Sequence, residues 1–111
     1  MQGLSLVQLL TTFEGRINRK QWWVGVLVLF VISACFYMLF GRDGVVPLIV
    51  SLLMMAAAFC LHIKRFHDRG KPGWWSLIYL VPVIGFIWII VECGFLEGDS
   101  APNDYGAVPQ A

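Results

Sequence analysis

The chain has 111 residues, of which 59% are hydrophobic and 14% charged, with a formal net charge of +1. A soluble fold of this size cannot cover so much apolar surface, and the mean hydropathy of +0.74 excludes a water-soluble monomer. The net charge says little as a sum, but the basic residues sit where membrane insertion already requires them, which argues against nucleic-acid binding.

The first thirteen residues, "MQGLSLVQLLTTF", set Leu4, Leu6, Val7, Leu9 and Leu10 at helical spacing among Gln and Thr. This stretch (1–13) is too short to cross a bilayer and reads as an amphipathic interfacial arm.

"EGRINRKQWW" follows, with Arg16, Arg19 and Lys20 just ahead of Trp22 and Trp23. That is the order in which a chain passes from headgroups into the aromatic belt. Three uncharged runs, Gln21 to Gly41, Gly44 to Ile63 and Pro72 to Val91, are each about 20 residues long, enough for a helix to cross roughly 30 Å of hydrocarbon. The first is too long for a cleaved secretory signal and is followed by two similar runs. Spans are therefore expected at about 22–40, 45–63 and 74–95, within a single membrane domain covering 1–111.

"GRDGVVP", Gly41 to Pro47, is a turn by composition, so the first two spans form an antiparallel hairpin. In the second span, Ala56, Ala57 and Cys60 of "MMAAAFC" offer a small-residue face for close helix packing. Cys35, Cys60 and Cys93 are isolated from one another, with no disulfide framework or zinc spacing, and read as apolar filling.

Next comes "KRFHDRGKPGWW", Lys64 to Trp75, with Trp74 and Trp75 opening the third span. Pro82 and Gly85 within that span imply a kink, and a re-entrant segment is the rival topology. The tail 97–111, "EGDSAPNDYGAVPQA", has no apolar periodicity and reads as an irregular, partly disordered polar end.

Seven of the eight Lys and Arg residues fall before the first span or between the second and third, and Arg42 alone lies in the hairpin turn. The positive-inside rule then puts the N-terminus and the Lys64 to Lys71 loop in the cytoplasm, and three crossings put the C-terminus outside, in the periplasm or extracellular space. The expected fold is an all-α integral membrane protein of three transmembrane helices with a short N-terminal amphipathic segment.

Both tryptophan pairs, Trp22-Trp23 and Trp74-Trp75, follow a basic cluster and serve as interface anchors. Topology and lipid contact account for this belt without further chemistry. A sharper reading is an anionic-headgroup site built from Arg16, Arg19, Lys64, Arg65, Arg69 and Lys71, because guanidinium forks match phosphate bidentately and a helix N-terminus adds unpaired N–H groups. Asp68 reads as a charge partner for Arg65 or Arg69. Glu92 is an acidic residue near the core of a span, a functional candidate that also lies within reach of the interface.

His62, His67 and Asp68 do not share a helical face and lack a third strong ligand, so no metal site and no cofactor is expected. There is no phosphate-loop glycine pattern, nucleophile elbow or metalloprotease motif.

Three motifs carry a resemblance across Phe13 to Pro109: "FEGRINRKQWW", "KRFHDRGKPGWW" and "NDYGAVP". With them the chain resembles the domain of unknown function 805 family, small multi-span proteins of the bacterial inner membrane with no established activity. By position the family-like residues include Phe13, Gly15, Arg16, Arg19, Trp23, Lys64, Arg65, His67, Asp68 and Arg69. Gly70, Gly73, Trp74, Trp75, Asn103, Tyr105, Gly106 and Pro109 complete the set. Phe66 replaces the usual leucine, and Asp104 stands where a basic residue is common.

The resemblance implies a bacterial inner-membrane location and leaves the activity open. The reading that needs least is a non-enzymatic module binding membrane lipid, a protein partner or a second copy through its Arg/Lys/Trp belt. The alternative is an enzyme acting on a lipid or polyprenyl phosphate, with His67 as acid or base and Asp68 orienting it. Transport ranks last, since three short spans provide little polar lining beyond Glu92 and His62.

Overall fold

A computed structural model describes residues 6–109 and is all-helical apart from turns and the tail. Helix α1 (Leu6–Thr11) is followed by α2 (Arg19–Phe40) and α3 (Val45–Asp68). A 3₁₀ stretch (Gly73–Leu80) leads to α4 (Ile84–Ile89), which continues into a π-helical turn (Ile90–Phe95).

Helix α2 begins where Asn18 and Gln21 exchange caps: Asn18 Oδ1 accepts from the Gln21 N–H at 2.8 Å, and Gln21 Oε1 accepts from the Asn18 N–H at 2.9 Å. This reciprocal pair satisfies two N–H groups that would otherwise lack partners. Helices α2 and α3, at 22 and 24 residues, are each apolar and long enough to cross a membrane, at about 33 and 36 Å. The Gly41 to Gly44 turn joins them, and Pro47 sits in the first turn of α3, where its missing N–H costs nothing. Gly25 lets the Leu61 side chain approach the α2 backbone closely. Of the small-residue face expected on α3, Cys60 is buried and Ala57 half-buried, while Ala56 faces outward.

The third span differs from the expectation. The chain enters as the 3₁₀ stretch, turns at Val81 to Val83 and comes back through α4 and the π turn. Pro82 disfavours helical backbone at Val81, which is extended (φ −85°, ψ 114°), and Val83 adopts φ +64°. The returning limb packs on the entering one: the Trp75 and Trp88 rings stack at 6.3 Å, and a Cβ on Gly85 would overlap the Ile78 carbonyl oxygen. Eight residues of 3₁₀ helix rise about 16 Å, and the returning Ile84–Phe95 limb, six α-helical and six π-helical residues, at most about 18 Å, so neither limb is long enough to cross roughly 30 Å of hydrocarbon.

The turn-back brings the tail to the loop before α2, where Arg16 bonds the carbonyls of Asp99, Ala101 and Gly106. Residues 97–109 lie at the end of the hairpin that holds α1 and the C-terminus of α3, away from Arg42 and Asp43. The tail is irregular yet anchored, with an isolated bridge between Asn103 and Gly106 and a Tyr105 N–H donated to Asn103 Oδ1.

The same end carries the core, where Leu9, Ile17, Trp22, Leu61, Phe66 and Cys93 are buried together. Helix α1 packs there against α3 and α2 instead of lying free. Leu4 of the expected arm lies outside the described residues. Along the rest of the hairpin large apolar side chains face outward, Met38 at 86% exposure and Leu39 at 76%. Such a surface is what lipid contact requires and water forbids.

A polar knot as the candidate functional site

The last two turns of α3 leave the apolar pattern and carry Lys64, Arg65, His67 and Asp68. Arg65 and Asp68, three apart, face the same way. Arg65 Nη1 meets Asp68 Oδ2 at 2.6 Å, with both side chains buried. From the loop before α2, Arg16 reaches the other oxygen of the same carboxylate, its Nε lying 3.0 Å from Asp68 Oδ1.

Arg16 uses its whole fork. Besides that bond, Nη1 donates to the Ala101 and Gly106 carbonyls at 3.0 Å each, and Nη2 to the Asp68 and Asp99 carbonyls at 3.3 and 2.8 Å. A guanidinium has five N–H donors, and all five are satisfied within the protein. One side chain thus joins the loop before α2, the end of α3 and the tail.

Lys64 is likewise occupied, its ammonium donating to the Gln8 and Leu9 carbonyls at 2.8 and 2.5 Å and to Thr12 Oγ1 at 3.0 Å. These are groups at the C-terminal end of α1, where a cation is favoured.

The returning limb is closed in the same manner. Its last carbonyls would have no helical partner, and side chains from the hairpin supply one. Arg65 Nε donates to Cys93 O at 2.8 Å, Trp23 Nε1 to Gly94 O at 2.9 Å and Arg19 Nη1 to Phe95 O at 2.9 Å. Arg65 Nη2 also donates to Leu96 O, and Arg69 Nη1 to Glu97 O. The buried Glu92 carboxylate accepts from Lys71 Nζ at 2.5 Å, Arg69 Nε at 3.1 Å and Trp88 Nε1 at 2.9 Å. Lys71 also sits over the Trp75 ring at 4.6 Å. Glu92 is therefore the fastening point of the returning limb.

His67 and Asp68 are neighbours in sequence with different partners. His67 Nδ1 lies 3.0 Å from the Gly15 carbonyl, so it carries the proton, and the ring stacks flat on Tyr105 at 4.0 Å. Asp68 spends its carboxylate on the two arginines. Asn103 completes the closure, its Nδ2 donating to the His67 carbonyl at 3.0 Å and to Asp99 Oδ2 at 2.8 Å.

Of the six cations expected at a headgroup site, Arg16, Lys64 and Arg65 are buried, Arg69 and Lys71 are half-buried and paired with Glu92, and Arg19 is exposed, with Lys20 beside it. Of the four expected anchors, Trp23 and Trp74 are exposed, Trp75 is half-buried and Trp22 is in the core. Trp22 turns inward because its indole N–H has a buried acceptor, His62 Nδ1, at 3.1 Å. The inward pair Trp22–His62 and the Asn18–Gln21 capping box were not anticipated. The N-x-x-Q spacing signals the second, but no local signal links residues 40 apart for the first. Among the described residues, no three His, Cys, Asp or Glu side chains are grouped to hold a metal ion.

Residues 10–107 match the family described as "Protein of unknown function (DUF805)". The chain is 32% identical to the inner membrane protein YhaH of Escherichia coli K12 over 107 residues, covering 88% of this chain and 87% of that one. It is 32% identical to the inner membrane protein YhaI of the same strain over 112 residues, covering 96% and 93%. The uncharacterized protein YiiR of that strain is 23% identical over 137 residues, covering 93% and 89%. No solved structure matches the chain.

Proposed function

The chain belongs to the DUF805 family, and from that premise we propose that it is a non-enzymatic module of the bacterial inner membrane that holds anionic lipid headgroups at the cytoplasmic surface. Arg19 and Lys20 make the contact, flanked by Trp23 and Trp74, and the polar knot is the scaffold that presents them.

The observation that carries this reading is the spending of donors inside the knot. Arg16 and Lys64 have no N–H left for a ligand, whereas Arg19 and Lys20 are exposed at the start of α2. Seven of the eight basic residues belong to the segments that meet at this end, so the positive-inside rule favours the cytoplasm for it, tail included. The contacts favour binding over catalysis, since Asp68 bonds the arginines and the His67 ring is covered by Tyr105.

Each cation near an anionic surface contributes about 1 kcal/mol, so Arg19→Ala with Lys20→Ala should weaken headgroup affinity by roughly 30-fold. The measurement is the phosphatidylglycerol and cardiolipin retained by protein purified in mild detergent. Retention should fall sharply in the double variant, and by about fivefold at unchanged melting temperature in Lys20→Ala alone, since Arg19 also holds the Phe95 carbonyl; unchanged retention in both would remove the headgroup role.

A further inference from the structure

Between α2, α3 and the re-entrant limbs lies a cavity of about 440 Å³, large enough for a small organic molecule. Its walls are aromatic and aliphatic, among them Trp22, Val26, Leu29, Met54, Tyr79 and Phe86. Far from the knot, Tyr37 and Ser51 line it and share a hydrogen bond of 3.2 Å between their hydroxyls.

At the knot end the lining includes His62, which is 4% exposed. An indole N–H only donates, so the bond from Trp22 fixes Nδ1 of His62 as an acceptor, and the neutral ring carries its proton on Nε2. That Nε2 is buried and has no hydrogen-bond partner among the described residues. The Tyr79 ring, 4.8 Å away, helps hold the imidazole in place.

A buried donor without an acceptor costs free energy, and a polar side chain held inside a membrane protein marks a site. A water there would need two to four polar partners. The groups shown against His62 are the rings of Trp22, whose N–H is already engaged, Phe59 and Tyr79.

We propose that this cavity binds a membrane-soluble carbonyl compound whose oxygen accepts the Nε2–H of His62 while its hydrocarbon lies along α2 and α3. The carbonyl belongs either to a quinone ring or to the acyl ester of a phospholipid. The proposal stands independently of the Arg19 and Lys20 contact.

The full-length protein in maltoside detergent provides the test. Coenzyme Q1 is titrated against intrinsic tryptophan fluorescence, since Trp22 and Trp23 both line the cavity. Diester and diether phosphatidylethanolamine, which differ in the ester carbonyls, are then compared as competitors and as thermal stabilisers. Saturable quenching that diester lipid does not displace assigns the quinone. Displacement or stabilisation by the diester but not the diether lipid assigns the acyl ester.

In either case His62→Phe, which keeps a ring and removes the donor, should weaken binding about fivefold or more. Ala58→Phe, which fills the cavity and leaves His62 in place, should abolish it. Should His62→Phe fail to fold, Ala58→Phe decides alone. Absence of saturable quenching together with equal effects of the two lipids would overturn the proposal, as would undiminished binding by the folded variants.

Discussion

Asp68→Asn should destabilise the protein by about 3–5 kcal/mol, because it removes the one carboxylate shared by two buried guanidinium groups. Arg16 and Arg65 bond opposite oxygens of Asp68, and the side chains are 1%, 0% and 5% exposed. A buried ion pair is not stabilising merely by existing, since desolvation offsets much of the attraction. Breaking one is costly because the stranded charges can neither pair nor reach water. Thermal unfolding in detergent should show a melting temperature lowered by many degrees, with a matching fall in membrane yield. A variant that melts with the wild type would show that the arginines do not depend on Asp68.

Arg16→Lys keeps the charge but replaces a planar fork of five donors by a compact ammonium with three. It cannot reach Asp68 and the carbonyls of Asp99, Ala101 and Gly106 together, and the loss should be about 2–3 kcal/mol, with hydrogen bonds to a charged group weighing most. The damage should fall unevenly. Limited proteolysis should cut within residues 97–109 much faster than in wild type while α2 and α3 stay intact. Equal protection of the tail would mean that Arg16 does not hold it.

Local chemistry made the hairpin legible from the sequence. Two apolar runs, the Gly41 to Gly44 turn and Pro47 in a first helical turn each act within a few residues, and α2 and α3 lie close to where those signals put them. Pro82 and Gly85 signalled an interruption, but whether the chain bends or returns depends on what fastens its far limb. Those fastenings, Glu92 to Lys71 and the Cys93 carbonyl to Arg65, span 21 and 28 residues and leave no local trace. The three motifs were visible as strings of residues, and that they pair with one another was not. A basic belt is ordinarily solvated, so burial of Arg16, Lys64 and Arg65 runs against the usual preference of these residue types. It becomes possible only because the ends of α1, α3 and the returning limb bring unpaired carbonyls to one place.

The three motifs close into one knot that holds residues 99–106 at the end of the hairpin from which α2 starts, and we propose that both lie on one side of the membrane. Labelling of single cysteines in sealed membrane vesicles with an impermeant maleimide tests it most directly. With Cys35, Cys60 and Cys93 replaced by alanine, Glu14→Cys, Asp43→Cys and Ser100→Cys each place one thiol at an exposed position. Glu14→Cys and Ser100→Cys should label from the same side and Asp43→Cys from the other. Labelling of Ser100→Cys together with Asp43→Cys would place the tail on the opposite side and overturn this topology.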